Sequence, residues 1–127
     1  MVLNKVLIID DDDLSIFLIG LTIEEIPFIK SYKSVTSGWE ALKFLESCED
    51  RGPDLILVDL NMPEMDGFEF MQHYEDKFAK IFPDTKLIVI TSSQRESDKS
   101  QALAFNAVKG YIQKPLTEEK IKEILEK

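Results

Sequence analysis

The sequence has little of what stabilises a secreted protein or holds a protein in a membrane. Its single cysteine, Cys48, has no partner for an internal disulfide, which fits a reducing compartment. No apolar run approaches the roughly 20 residues that a membrane-spanning helix needs, and no basic, apolar secretion signal opens the chain. We therefore expect a cytoplasmic protein.

Basic residues are also scarce. The chain has 15 lysines and arginines against 24 aspartates and glutamates, so its net charge is -9. A surface this acidic repels the phosphates of nucleic acids and anionic lipids, so those partners are disfavoured, whereas a bound cation is favoured. The one histidine, His73, lies off the apolar face of its predicted helix, and we interpret it as solvated rather than as a ligand or phosphoacceptor.

The 127 residues suffice for one domain, and we predict a single domain over 1–127 with no effector domain. Apolar runs at 5–9, 55–58 and 86–90 predict buried strands, and weaker patterns predict strands at 28–32 and 111–113. A helical pattern follows each strand. This alternation predicts an α/β fold with a five-stranded parallel sheet, doubly wound, and helices on both faces.

The first predicted helix is unusually apolar. It follows an acidic run in which Asp12 or Asp13 is placed to cap it, and no charge occurs between Leu14 and Ile23. We predict that its core face, at helical spacing, consists of Leu14, Phe17, Leu18 and Leu21. A second stripe consists of Ile16, Ile19 and Ile23. This second stripe either packs under a neighbouring element or is available to a partner.

The residues that suit chemistry lie where the predicted strands end. Asp10 and Asp11 follow the first strand, Asp59 the third, Thr91 the fourth and Lys114 the fifth, so all five meet at one edge of the sheet. Carboxylates about 4 Å apart repel by roughly 4 kcal/mol per pair at an effective dielectric of about 20. A hard divalent cation such as Mg2+ offsets this repulsion. With a lysine and a hydroxyl to bind phosphoryl oxygens, the set predicts a phosphoryl-transfer site in which Asp59 is the nucleophile.

These motifs, in this order, resemble the receiver domains of bacterial response regulators. The resemblance rests on the Asp10-Asp11 pair, on the segment 58–67 that carries Asp59, on Thr91-Ser92 and on Lys114-Pro115. It extends over essentially the whole chain. It implies a flavodoxin-like (βα)5 fold with the strand order 2-1-3-4-5.

The resemblance also implies a Mg2+ site. Asp11 would bind the cation directly and Asp10 through a water molecule, while Asp59 would be both ligand and phosphoacceptor. The main-chain carbonyl of Asn61 would complete the ligands that the protein supplies. The two acids after Asp11 are interpreted as helix-capping residues rather than ligands.

By the same resemblance, Thr91 and Lys114 would hold the phosphoryl oxygens on Asp59. Tyr111 matches the aromatic residue whose inward or outward pose follows the position of Thr91, so Thr91 and Tyr111 are the expected switch residues. Ser92 stands where the family mostly has alanine, which leaves the lifetime of the phosphoryl group open.

The function implied is that of a phosphoacceptor signalling switch in a two-component system or phosphorelay. The phosphoryl donor would be a histidine kinase or a histidine phosphotransfer protein, and the domain would catalyse only its own phosphotransfer and dephosphorylation. We hypothesise that the stripe of Ile16, Ile19 and Ile23 docks the kinase. Output would pass to an unidentified protein through the fourth helix, fifth strand and fifth helix, with the chain a monomer or weak dimer.

Three alternatives remain. A Mg2+-dependent phosphatase of the haloacid-dehalogenase kind also uses an aspartate nucleophile. Such enzymes carry a second aspartate two residues later, where this chain has Asn61, which cannot transfer a proton at neutral pH. The second alternative is a receiver domain excised from a hybrid histidine kinase. The third is a receiver relic that is not phosphorylated, and the complete set of acids, threonine and lysine argues against it.

Overall fold

The computed structural model describes residues 2–49 and 51–126, in which five strands alternate with five helices. The elements are β1 (Val6–Ile9), α1 (Asp13–Glu24), β2 (Tyr32–Val35), α2 (Gly38–Ser47), β3 (Leu55–Val58), α3 (Gly67–Lys77), β4 (Lys86–Thr91), α4 (Glu96–Leu103), β5 (Val108–Gln113) and α5 (Glu118–Leu125). The strands form one parallel sheet in the order β2-β1-β3-β4-β5. The predicted fold class and the implied strand order are therefore confirmed.

The sheet divides the core into two layers because successive strand residues point to opposite faces. Leu7 of β1 and Val58 of β3 pack with apolar residues of α2 and α3, whereas Ile8 and Leu57 pack with those of α1 and α5. Every residue of β1 and β3 is buried, as expected for central strands covered on both faces. Among the described residues, none of the helices combines the length and apolar character needed to cross a bilayer.

The orientation of α1 is the reverse of the predicted one. Ile19 and Ile23 are only 3% and 1% exposed and belong to the core, and Ile16 is half-buried against the same cluster. The predicted core residues are exposed instead: Leu14 by 63%, Phe17 by 60%, Leu18 by 53% and Leu21 by 45%. The prediction that Ile16, Ile19 and Ile23 form a docking surface is therefore wrong.

Two contacts that depend on tertiary structure explain this orientation. The Ser15 hydroxyl, on the same side of α1 as Ile19, hydrogen-bonds to Asp10 at 2.7 Å. Gly20 lies against the ring of Tyr32, and a Cβ at this position would come within 2.6 Å of the Tyr32 hydroxyl oxygen. Because both stripes of α1 are apolar, hydrophobic periodicity alone could not choose between them.

The second strand also differs from its prediction. It begins at Tyr32 rather than at Phe28, and in the predicted range only Ile29 makes an isolated bridge, to Leu3. The reason is that β2 is an edge strand whose middle residues, Lys33 and Ser34, are exposed, so the true strand carries little apolar signal. The fifth strand is longer than predicted and begins at Val108.

Side-chain caps begin four of the five helices. Asp12 caps α1, as predicted, while Ser37 caps α2, Thr117 caps α5, and Asp66 forms a capping box with Glu69 at the start of α3. The exception is α4, which begins at Glu96 after Arg95 without a side-chain cap. Asp98 lies inside the helix, where its carboxylate accepts a hydrogen bond from Ser93 at 2.6 Å.

Candidate functional site

Asp10 and Asp59 lie next to each other at the carboxyl ends of β1 and β3. The backbone ladder continues one residue past each strand: the Asp59 N–H donates to the Ile9 carbonyl at 3.0 Å, and the Asp10 N–H donates to the Val35 carbonyl at 3.2 Å. Both residues are buried. The parallel register thus brings together two acids that are 49 positions apart in the sequence, as predicted.

Lys114 reaches both acids from the residue that follows β5. Its backbone N–H donates to the Thr91 carbonyl at 2.8 Å, which holds the base of the side chain beside β4. Its Nζ donates to Asp10 Oδ2 at 2.8 Å and to Asp59 Oδ2 at 3.2 Å. The peptide bond to Pro115 is cis. One ammonium group is therefore shared by two buried carboxylates.

Ser15 belongs to this site, although it was not predicted from the sequence. Its Oγ donates to Asp10 Oδ2 at 2.7 Å and accepts a hydrogen bond from Lys114 Nζ at 2.7 Å. The sequence did contain a signal for this residue: its hydroxyl lies four residues before Ile19, on the stripe of α1 that faces the core. Had that stripe been assigned to the core, Ser15 would have been expected at the edge of the sheet beside Asp10.

The acids form a group that fits a divalent cation. One carboxylate oxygen from each of Asp10, Asp11 and Asp59 lies within 4.8 Å of the others. Asp11 is exposed while the other two are buried, so the group opens to solvent on the Asp11 side. Oxygen ligands with an open side suit Mg2+, which retains several waters. Asn61 is exposed two residues after Asp59, and its carbonyl as a ligand stays a prediction.

The charges at this site are unbalanced. Burial raises the pKa of Asp59, Lys114 opposes this, and the charge of Asp10 adds to it, so the pKa lies above the usual aspartate value. Burial alone would lower the pKa of Lys114, but its hydrogen bond to Asp10 and the charges of Asp59 and Asp10 outweigh that effect and raise the pKa. Lys114 is therefore charged at neutral pH, and it pairs with two of the three acids in the group, Asp10 and Asp59. One lysine beside three carboxyl groups leaves an imbalance that a divalent cation would offset.

The two predicted switch residues lie on the neighbouring strands. Thr91 ends β4 and is fully buried, and its Oγ1 accepts a hydrogen bond from the Ser93 N–H at 3.2 Å. Tyr111 is on β5, in register with Val89. Its hydroxyl is buried and has no hydrogen-bond partner among the described residues. The switch role of both residues stays a prediction.

An apolar groove of about 500 Å³ adjoins the site. It lies between α1 and the segment after β5, and its walls include Leu18, Leu21, Pro115 and Leu116. Ser15 and Lys114 line this groove as well as the site. The four exposed apolar residues of α1 are here termed the α1 surface (Leu14, Phe17, Leu18 and Leu21). Two of them, Leu18 and Leu21, line this groove.

The family model for the response regulator receiver domain matches residues 6–126. The chain belongs to this family. Receiver domains generally bind Mg2+ at a cluster of aspartates and interact with histidine kinases or phosphotransfer proteins. In this receiver domain, Asp10, Asp11 and Asp59 form a group of aspartates at one edge of the sheet.

Solved structures support the same assignment. A two-component response regulator from Cytophaga hutchinsonii is 30% identical and superposes with a TM-score of 0.91, covering 99% of this chain and 96% of that chain. The chemotaxis protein CheY4 of Vibrio cholerae is 25% identical with a TM-score of 0.77, covering 98% and 97%. This receiver domain therefore shares the fold of response regulators over nearly its whole length.

Curated relatives include much longer signalling proteins. The hybrid signal transduction histidine kinase L of Dictyostelium discoideum is 29% identical over 126 residues, which are 98% of this chain and 7% of that protein. The sensor histidine kinase CheAY of Helicobacter pylori is 34% identical over 95 residues, 75% of this chain and 11% of that protein. The receiver domain thus spans a small fraction of the length of both relatives.

Proposed function

We propose that this receiver domain is a phosphoacceptor switch that takes a phosphoryl group from a phosphohistidine onto Asp59. The observation that carries the proposal is the position of the Asp59 carboxylate. It lies at the sheet edge, within 4.8 Å of oxygens of Asp10 and Asp11, and accepts a hydrogen bond from Lys114. An acid in such a setting can form an acyl phosphate whose charge is neutralised by neighbouring groups.

In the proposed transfer, an oxygen of Asp59 forms a bond to phosphorus as the bond from phosphorus to the imidazole nitrogen breaks. The electron pair of the broken bond remains on the imidazole. Lys114 already contacts Asp59 Oδ2, so it can bind a phosphoryl oxygen with little movement. Thr91 ends the adjacent strand and would supply a hydroxyl to another phosphoryl oxygen.

Asp10, Asp11 and Asp59 would hold Mg2+, together with the Asn61 carbonyl. When bound, the cation supplies positive charge to the phosphoryl oxygens and to the three carboxylates. Asp11 makes no ion pair with any of the described residues, whereas Asp10 and Asp59 both bind Lys114. Asp11 is therefore the acid most available to a cation in this arrangement.

The phosphodonor would dock on the α1 surface, and not on the stripe of Ile16, Ile19 and Ile23, which faces the core. Four large apolar side chains at i, i+3, i+4 and i+7 form one exposed face, and the groove beside Leu18 and Leu21 leads to Lys114. A helix that carries the phosphohistidine and an apolar face fits this surface. The proposal includes a cytoplasmic location and applies equally to a free receiver domain and to one within a hybrid kinase.

The family match over residues 6–126 favours this proposal over the phosphatase alternative. Asn61 agrees, since a group that neither gives nor takes a proton suits a stored phosphoryl group better than substrate turnover.

Intact-protein mass measurement after incubation with acetyl phosphate and Mg2+ tests the proposal. We expect the mass of one phosphoryl group on the wild type and on Asp84→Asn, a control acid that is exposed in the loop before β4. Asp59→Asn should show none, and EDTA should suppress the wild-type adduct. An adduct on Asp59→Asn, or none on the wild type, would overturn the proposal.

A further inference from the structure

All three hydrogen-bond donors of Lys114 are in use in this structure. An ammonium group has three N–H bonds, and the Lys114 ammonium has three acceptors: Ser15 Oγ at 2.7 Å, Asp10 Oδ2 at 2.8 Å and Asp59 Oδ2 at 3.2 Å. A phosphoryl oxygen on Asp59 would need one of these donors. The longest hydrogen bond, to Asp59, is the one most readily exchanged, and the other two would then hold the ammonium in place.

The Asp10 carboxylate is also fully engaged. Its Oδ1 accepts a hydrogen bond from the Asp12 N–H at 3.0 Å. Its Oδ2 accepts one from the Ser15 hydroxyl at 2.7 Å and one from Lys114 at 2.8 Å, so both lone pairs of this oxygen have donors. These donors compete for Asp10 with a cation, or with a water molecule bound to a cation.

Ser15 is the residue that contacts both of these groups. Its hydroxyl donates to Asp10 and accepts from Lys114, so it acts on the acid and on the ammonium at once. The residue is 9% exposed in the first turn of α1. Ile19 and Ile23 of the same helix are buried in the core and fix the position of α1. The hydroxyl can therefore rotate, but Ser15 stays at the site.

A purely structural role does not explain these contacts. A hydroxyl inside a helix commonly bonds to the carbonyl four residues earlier, as Thr22 does to Leu18 at 3.3 Å. Among the described residues, the hydroxyl of Ser15 instead bonds only to the side chains of Asp10 and Lys114. Hydrogen bonds to charged groups are stronger than those between neutral groups. The Ser15 hydroxyl is thus committed to the two charged groups of the site.

We propose that Ser15 is a positioning residue with two opposed effects on the site. It anchors the Lys114 ammonium while the bond to Asp59 is exchanged for a phosphoryl oxygen, which favours phosphoryl transfer. By donating to Asp10, it also stabilises the charge of that carboxylate and so weakens the binding of a divalent cation. The first effect deepens the proposed function and rests on it, whereas the second does not require phosphorylation.

Titration of the unphosphorylated full chain with MgCl2 tests the effect on the cation. Amide NMR shifts of residues 10–12 and 59–61 report the binding. We expect Ser15→Ala to bind Mg2+ at least about threefold more tightly than the wild type, since one hydrogen bond to a carboxylate is removed. Thr22→Ala removes a hydroxyl from the same helix that does not contact the acids, and its affinity should stay within about twofold of the wild type.

The rate of phosphorylation by acetyl phosphate, measured at saturating Mg2+, tests the anchor. Ser15→Ala should react about three- to tenfold more slowly than the wild type even though it binds the cation more tightly. Loss of packing or of folding would weaken both properties, so this opposition is specific to the proposed role. Ser15→Thr keeps a hydroxyl and should restore both the Mg2+ affinity and the rate.

Several outcomes would overturn the proposal. Equal Mg2+ affinities of Ser15→Ala and Thr22→Ala, weaker binding by Ser15→Ala, or no Mg2+ binding by the wild type would exclude competition at Asp10. An unchanged rate at saturating Mg2+ would exclude the anchor. If the wild type accepts no phosphoryl group, the proposed function itself fails, while the Mg2+ titration still decides the effect of Ser15 on Asp10.

Discussion

The α1 surface can be compared with a groove at the β5 edge of the sheet, here termed the lysine groove, whose lining includes Lys86, Lys99, Lys109, Leu103 and Tyr111. Both surfaces are partly apolar, but they differ in charge and in their relation to the acid cluster. The α1 surface carries no charged residue, and its groove shares Ser15 and Lys114 with the acid cluster. The lysine groove has three cations, and of the two predicted switch residues it includes only Tyr111. In the function proposed, a partner on the α1 surface would deliver the phosphoryl group, whereas a partner in the lysine groove would respond to a change in the pose of Tyr111.

The largest expected effect is on the free energy of unfolding, and it tests which face of α1 is exposed. Ile19→Ala removes a buried side chain and should lower the free energy of unfolding by about 2–5 kcal/mol. Phe17→Ala removes a larger but exposed side chain and should change it by less than about 0.5 kcal/mol. Urea unfolding of both variants measures the difference. Equal losses would contradict the orientation of α1 described above.

The next effect separates the two surfaces by function. Leu18→Glu places a charge on the α1 surface and should slow phosphotransfer from a phosphohistidine protein by at least about tenfold, or roughly 1.4 kcal/mol. Leu103→Glu makes the matched change in the lysine groove and should leave that rate unchanged. Both variants should react normally with acetyl phosphate, since neither residue belongs to the acid cluster. If Leu103→Glu slows the transfer as much as Leu18→Glu, the division of roles is wrong.

A smaller effect is expected on the phosphorylation rate when Ser15 is changed. Ser15 lines both the site and the groove between α1 and the segment after β5. Ser15→Ala removes the hydroxyl that joins Asp10 to Lys114 and should slow phosphorylation by acetyl phosphate by about tenfold or less, because Lys114 is less well positioned. The pH dependence of the rate should also shift. Ser100→Ala, an exposed hydroxyl on α4, is the control. A rate equal to that of the control would remove Ser15 from the site.

The smallest effect is on stability as a function of pH. Because burial raises the pKa of Asp59, the folded metal-free protein binds more protons than the unfolded chain between the usual aspartate pKa and the raised value. The contribution of Asp59 to the free energy of unfolding is thus largest below the unfolded pKa and is lost as pH rises through the folded pKa. Asp59→Asn should lack this loss, and at neutral pH it should be the more stable protein in EDTA.

Urea unfolding of the wild type and of Asp59→Asn from about pH 4 to pH 7 measures this difference. Asp84→Asn, which changes an exposed acid, should follow the wild type. Parallel curves for the wild type and Asp59→Asn would show that Lys114 fully compensates the buried charge.

The strands and the acid site could be read from the sequence because their signals are local. Runs such as Leu55–Val58 are apolar throughout because both faces of a central strand are covered. Asp59 follows such a strand directly, and Lys114 follows the edge strand β5. Parallel strands end at one edge of the sheet, so the convergence of these residues needed no knowledge of packing. The edge strand β2 was displaced in the prediction because its exposed middle residues, Lys33 and Ser34, do not carry that signal.

The sequence by itself therefore determined the fold class, the strand order through family resemblance, and the acids and lysine of the site. Only the tertiary structure decided which stripe of α1 is buried, that Ser15 joins Asp10 to Lys114, and that three distant lysines share one groove. The physical reason is that these features depend on contacts between elements. Hydrophobic periodicity shows that a helix has an apolar face. When a helix has two apolar faces, as α1 has, the elements packed against it decide which face is buried.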